Sequence, residues 1–210
     1  MLENIKVFTQ SSICISGTKK IYFDPYGIPE SFHDADMVMI THSHYDHFSI
    51  EDILKVRKQE TIVIAPFDVI KKLETYFPST HLFLVKPKQQ LTLMDVSIRT
   101  VPAYNENKNY HPQDAGWVGY VVLLDDVIYY ISGDTDAIKE NQTISCDVAF
   151  VPVGGTFTMT AFEAAQYVNA IHPKYAIPTH YGSIVGERKD GERFIQQLSS
   201  DIVGVIKLTF

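Results

Sequence analysis

Four side chains able to bind a metal lie within six residues in Thr41-His42-Ser43-His44-Tyr45-Asp46-His47, directly after the apolar run Met37-Val38-Met39-Ile40. Residues two apart in an extended chain share a face, so His42 and His44 can direct their imidazoles at one cation from the end of a strand. Asp46 and His47 fall past the bend. Ser49 and Asp52 then stand in capping-box spacing, which predicts a helix right after the ligands and a rigid loop between strand and helix. A surface tract that is merely rich in His lacks such flanks. A catalytic Zn²⁺ usually takes three protein ligands plus water, so four neighbouring ligands call for partners from elsewhere in the chain.

Three later positions answer that demand. Asp134, in Ser132-Gly133-Asp134-Thr135-Asp136, follows the β-prone run 127–131 at a place where a carboxylate can bridge two cations. His180 follows the run 175–177, and His111 lies in a long irregular segment just before Gly116-Trp117-Val118. Singly, a His at a strand end is more often a satisfied polar residue, and an Asp after Gly a turn residue. The four-ligand loop gives all three a shared purpose.

The elements that must hold these residues are mostly short strands. Runs at 5–9, 12–16, 20–23, 38–40, 62–65, 91–94, 96–101, 118–124 and 127–131 read as β. Gly17-Thr18, Met94-Asp95 and Asp125-Asp126 read as hairpin connections. Helices are expected at 49–57, 67–76, 160–171 and 186–198. The third has Thr160 and Glu163 in capping-box spacing and an apolar stripe of Ala161, Ala164, Ala165, Val168 and Ile171. Strand runs at 148–152 and 175–177 flank that helix in α/β order. Two sheets sandwiched by helices accommodate both patterns, in one domain spanning 1–210. Residues 104–116 form the longest irregular segment, a length usually found in functional loops.

Composition narrows the function. The chain has 210 residues, and 18 Lys+Arg against 25 Asp+Glu leave a net charge of −7, which disfavours a hold on nucleic acid. Cys14 and Cys146 are far apart and read as buried free thiols rather than a redox motif or disulfide. The first residues do not resemble a signal peptide, and no apolar run approaches the ~20 residues needed to span a bilayer, so a cytoplasmic protein without membrane contact is expected.

With these ligands in order, the chain resembles the metallo-β-lactamase superfamily, whose His-x-His-x-Asp-His signature stands here as His42, His44, Asp46 and His47. Gly133-Asp134-Thr135 and His180 fall in that family's order. The Pro152 to Thr156 segment and the run to Tyr181-Gly182-Ser183 are similar to its small metal-dependent hydrolases. The resemblance implies an αββα sandwich with a dinuclear site at one edge. It also implies His42, His44 and His111 on one metal, Asp46, His47 and His180 on the other, and Asp134 bridging. Such cations, roughly 3.5–4 Å apart, share a hydroxide that is nucleophilic at neutral pH. The imidazoles favour Zn²⁺, while the carboxylates also accept Mn²⁺ or Fe²⁺.

The expected activity is hydrolysis of an ester, lactone, amide or phosphodiester of a small molecule, with Asp46 orienting the nucleophile or carrying its proton. Tyr104, Asn105, Lys108, Thr156 and Tyr181 are candidates for substrate contact, against a reading as loop residues. Asp24 is either a partner to a ligand imidazole or a turn residue before Pro25. Trp117 reads as core or pocket wall, and His33, His81 and His172 as surface or capping residues. The alternatives are a nuclease acting on nucleic acid, a di-iron oxidoreductase and a metal-binding protein without turnover. His44 counts against the oxidoreductase, because the relatives of that kind carry Glu there.

Overall fold

A computed structural model describes residues 2–208. The first sheet runs in chain order through β1 (Ile5–Val7), β2 (Ile13–Ser16), β3 (Lys20–Phe23), β4 (Ala35–Met39), β5 (Arg57–Ala65) and β6 (Leu82–Leu84). Its first three strands are antiparallel neighbours, while β3 to β6 pair in parallel. The second sheet is built from β7 (Gln90–Leu93), β8 (Val96–Pro102), β9 (Val118–Leu124), β10 (Val127–Ile131), β11 (Val148–Pro152), β12 (Tyr175–Thr179) and β13 (Val203–Gly204). Here β7 to β10 are antiparallel, and β10 to β13 parallel.

Strand alternation decides which side each residue serves. Along β4, Met37 and Met39 join the core between the sheets, while Val38 packs outward with Ile53, Val56 and Val69 of helices α1 (Ile50–Val56) and α2 (Phe67–Leu73). On the other side, helices α3 (Ala161–Ile171) and α4 (Asp190–Ile195) contribute Ala164, Ala165, Val168 and Phe194 to the core of the second sheet. The result is the expected αββα sandwich. Tyr120 ties the sheets together, its buried hydroxyl donating to the Ile40 and Ile64 carbonyls at 2.7 and 3.1 Å. No helix among the described residues is long and apolar enough to cross a membrane.

The hairpins at Met94-Asp95 and Asp125-Asp126 form with all four residues at positive φ, the backbone of a tight turn matched to strand twist. Several elements depart from expectation, β4 among them, which opens at Ala35 rather than 38. β5 begins at Arg57 rather than 62, because Thr61 donates to the Ala35 carbonyl and Lys58 pairs with Asp36, holding a polar stretch against β4 across a register shift. Helix α2 stops at Leu73 instead of 76, where the Leu73 carbonyl takes the Tyr76 and Phe77 amides in a turn. Helix α4 covers 190–195 rather than 186–198, since Gly186 at φ +69° and the turn behind it delay the start. β6 and β13, of three and two residues, were not expected from the sequence.

Candidate metal centre

The parallel halves of both sheets point their carboxyl ends at one edge, and the chemistry-bearing residues sit just past those ends. Asp24 follows β3, His42 to His47 follow β4, Asp134 follows β10 and His180 follows β12. His111 comes from the β8–β9 connection. The loop after β4 closes on itself through the His47 and Phe48 amides, both bonded to the His44 carbonyl. Ser49 then caps α1 by accepting the Asp52 amide at 3.2 Å, as the spacing predicts. The Asp52 carboxylate does not close the box; it takes the Gly27 and Ile28 amides and so pins the preceding loop to the helix.

Gly133 is the hinge that brings Asp134 in. At φ +65°, a conformation that side chains rarely adopt, it sits where a Cβ would crowd the Val118 carbonyl at 3.0 Å and Thr41 at 3.2 Å, so glycine eases the close approach of the β4 loop to the start of β9. The Val118 amide donates to the Thr41 carbonyl at the same seam.

The seven residues expected at the site come together. His42, His44 and His111 place one donor atom each within 4.8 Å of one another, as do Asp46, His47 and His180. Asp134 lies between the groups, its carboxylate 3.4 Å from His47 Nε2, 3.3 Å from His111 Nε2 and 3.2 Å from His180 Nε2. The Nε2 atoms of His47, His111 and His180 and one oxygen of Asp134 are buried without a hydrogen-bond partner. Each such orphan costs about 1–3 kcal/mol, and their gathering around Asp134 in both donor groups fits cationic occupants supplied to them. The mixed imidazole and carboxylate donors suit a divalent transition ion.

Behind the ring, hydrogen bonds fix how each imidazole presents itself. Asp24 is fully buried and accepts from the Thr41 amide (2.7 Å), the Thr41 hydroxyl (2.6 Å) and His47 Nδ1 (2.8 Å). With its proton committed to Asp24, the Thr41 oxygen accepts from His42 Nδ1 at 2.9 Å. Asn105 does the same for His111, its carbonyl oxygen accepting from the ring Nδ1 at 2.9 Å and the backbone amide at 3.1 Å. Hydrogen on Nδ1 turns the Nε2 of all three rings toward the centre, where His42 Nε2 meets His44 Nδ1 at 3.0 Å and His47 offers a lone pair once its second proton is displaced. Asp24 thus combines the two readings of its sequence context, a left-handed turn residue at φ 43° and the partner of a site imidazole.

Charge follows the same geometry. Burial opposes ionisation of Asp46, but His180 and His47 beside it hold the carboxyl down at about 2. Asp134 is likewise held well below the usual carboxylate range by His180 and His47 against the effect of burial. Burial and the neighbouring His47 push His42 well down. His47 moves the other way, since Asp134 and Asp24 outweigh its burial and raise it well above the ordinary imidazole value. Ionised Asp46 and Asp134 thus face a His47 whose protonated form they favour.

Over this floor lies a cavity of about 220 Å³, lined by His44, Tyr45, Asp46, Tyr110, His111, Asp134, Phe157, His180 and Ile184. Trp117 stands behind it, its ring centre 5.0 and 4.9 Å from those of His42 and His44 and its Nε1 donating to Asp68. The five residues expected to touch substrate do not line this cavity. Asn105 is buried, with its amide bonded to Asp136 and the Phe157 carbonyl. Lys108 pairs with Asp136, and the Tyr104 hydroxyl bonds Glu140. Thr156 lies exposed in a turn at φ 36°, and Tyr181 is buried against Gly191 of α4. Gln10, overlooked in the sequence, is fully buried and donates to Asp46 at 3.3 Å. His172 caps α3 in the left-handed conformation and pairs with Asp201.

A family model described as a β-lactamase superfamily domain matches residues 4–180. The chain belongs to the metallo-β-lactamase superfamily. A UPF0173 metal-dependent hydrolase of Pyrococcus horikoshii is 29% identical to this superfamily member over 99% of the chain and 96% of its own length. Among solved structures, a Parabacteroides distasonis protein whose name proposes a metal-dependent hydrolase superposes with TM-score 0.82 and 30% identity, over 98% of this chain and 93% of that one. Igni18, a metallo hydrolase of Ignicoccus hospitalis, has the same fold at TM-score 0.78 and 21% identity, with 96% and 93% covered. Similarity to proteins so named, together with the His and Asp clusters, identifies a metal-dependent hydrolase of this superfamily with candidate metal-holding groups.

Proposed function

We propose that the protein hydrolyses a small-molecule ester, lactone, amide or phosphodiester with two divalent cations, Zn²⁺ by donor preference and Mn²⁺ or Fe²⁺ as further occupants. His42, His44 and His111 would hold one cation, Asp46, His47 and His180 the other, with Asp134 between them. Bound there, such ions would supply a water that is nucleophilic near neutral pH and would polarise the carbonyl or phosphoryl oxygen under attack. The observation that carries the reading is the convergence of four buried, unpartnered donor atoms beneath an open cavity.

The chain's own groups have separable tasks. Asp24, Thr41 and Asn105 orient three imidazoles, and the Gln10 amide steadies the Asp46 carboxylate. Asp46 lines the cavity, where its carboxylate would orient the attacking water or carry its proton. Trp117 shields the His42–His44 side from water.

Metal analysis of purified protein, with His42→Ala and His180→Asn, is the primary test, accompanied by a screen of esters, lactones, thioesters, β-lactams and bis-(p-nitrophenyl) phosphate. Two equivalents of transition metal and turnover that His42→Ala abolishes are expected. Turnover indifferent to His42→Ala would overturn the mechanism. Asp46→Asn is expected to keep metal and lose rate; an unchanged rate rejects the proton-carrying role.

A further inference from the structure

The cavity has two unlike zones. Its floor is the His and Asp cluster, whereas its rim is formed by Tyr45, Tyr110, Phe157 and Ile184. Three of these large side chains are well exposed, Tyr45 at 65%, Tyr110 at 49% and Ile184 at 39%, and Phe157 is partly exposed. Tyr110 and Phe157 meet edge to face with ring centres 4.6 Å apart, although they come from different loops. Apolar side chains left in water around a concave polar floor mark a place where an apolar ligand group is covered.

None of the described residues lining the cavity is a lysine or arginine. Lys108, in the same β8–β9 connection as Tyr110, lines a separate depression and is already paired with Asp136. The rim therefore offers no cationic clamp for a second phosphate substituent or a nucleotide. Size also restricts the ligand, since about 220 Å³ is below the roughly 300–1,000 Å³ of sites for drug-sized molecules.

Resting on the hydrolase reading above, we infer that the substrate is a small neutral acyl compound, an ester or lactone, whose aromatic or branched apolar substituent is held by Tyr45, Tyr110, Phe157 and Ile184. The reacting carbonyl lies over the floor while the substituent is covered by the rim.

Binding and turnover test this separately. Trp117 is the only tryptophan and stands against His44 of the floor, so its fluorescence reports occupancy. Titration of the metal-loaded protein with N-benzylacetamide, N-methylacetamide and dimethyl phosphate should give at least about tenfold tighter binding of the benzyl compound, about 1.4 kcal/mol. Phe157→Ala and Tyr110→Ala should each shrink that ratio severalfold, whereas Leu123→Ala, on the outer face of the second sheet, should leave it intact. Phenyl acetate should correspondingly exceed methyl acetate in kcat/KM. Equal affinity for the two amides, tighter binding of dimethyl phosphate, or a ratio unmoved by both rim variants would overturn the inference. A benzyl preference without His42-dependent hydrolysis of any ester would sink the hydrolase reading and leave the apolar subsite standing.

Discussion

Replacing Asp24 by Asn tests whether ring orientation governs the centre. The Asp24 Oδ1 accepts the Thr41 amide at 2.7 Å, and a backbone N–H cannot reverse, so the Asn oxygen must take that position. Its NH₂ then occupies the place of Oδ2, which now accepts from the Thr41 hydroxyl at 2.6 Å and from His47 Nδ1 at 2.8 Å. Two donors would face each of these contacts. Relief comes if His47 moves its proton to Nε2 and the Thr41 hydroxyl turns toward His42, which then accepts at Nδ1 and protonates Nε2 in turn. One substitution without change of volume thus takes the lone pair from two ligand positions. Each outer contact of this kind is worth about 10- to 100-fold in metal affinity, so two together predict a loss of about 10²- to 10⁴-fold, about 2.7–5.5 kcal/mol. Competition against a fluorescent chelator gives the affinity, and ¹⁵N-resolved imidazole spectra give the tautomers. Affinity within threefold of the parent protein, or His47 still protonated at Nδ1, would refute the reasoning.

Further outcomes follow from other parts of the molecule. Thr160→Ala removes a complete capping box at the start of α3 and should cost about 1 kcal/mol, lowering Tm by about 2–4 °C in a calorimetric scan. In chelator-treated protein the folded state holds Asp46 at about 2, below the roughly 3.9 of an unfolded chain, so the unfolded state binds more protons between these values. That contribution is complete above about pH 4 and disappears as pH falls through about 2; a urea midpoint flat across this window would contradict it. Burial raises Cys14 and pushes Cys146 up to about 12, so neither thiol should react with an aromatic disulfide at pH 8 until the chain is unfolded. Rapid titration of one thiol in native protein would count against that.

Much of this could be read along the chain because the determinants are local. The ligand loop lies between an apolar strand and a capped helix, and the cap of α3 is written in two residues three apart. Six of the seven converging side chains could be picked out because they stand just past a strand end, and His111 because its irregular segment leads into one. What escaped depends on contacts between segments remote in sequence. Tyr110, Phe157 and Ile184 belong to three loops with no shared pattern, and only the folded chain brings them to one rim. Asn105 and Lys108 were expected to face substrate, yet their side chains are turned to His111 and Asp136. β13, of two residues, owes its existence to the neighbouring β12 rather than to its own composition. Gln10 was passed over because a Gln in a turn carries no local signal that it will be buried beside Asp46.

His180 and Asp24 hold their places with φ of 57° and 43°, angles that residues with a Cβ adopt at a cost of about 1–2 kcal/mol. Glycine would rest there at ease. At Asp24 the three buried hydrogen bonds it accepts outweigh that relief, whereas the His180 ring nitrogens have no hydrogen-bond partner, so selection for heat resistance alone, applied to a library of this gene, should discard His180 early and return hardier molecules with no working centre. Any campaign to toughen the protein has to keep both positions fixed and seek its gains elsewhere.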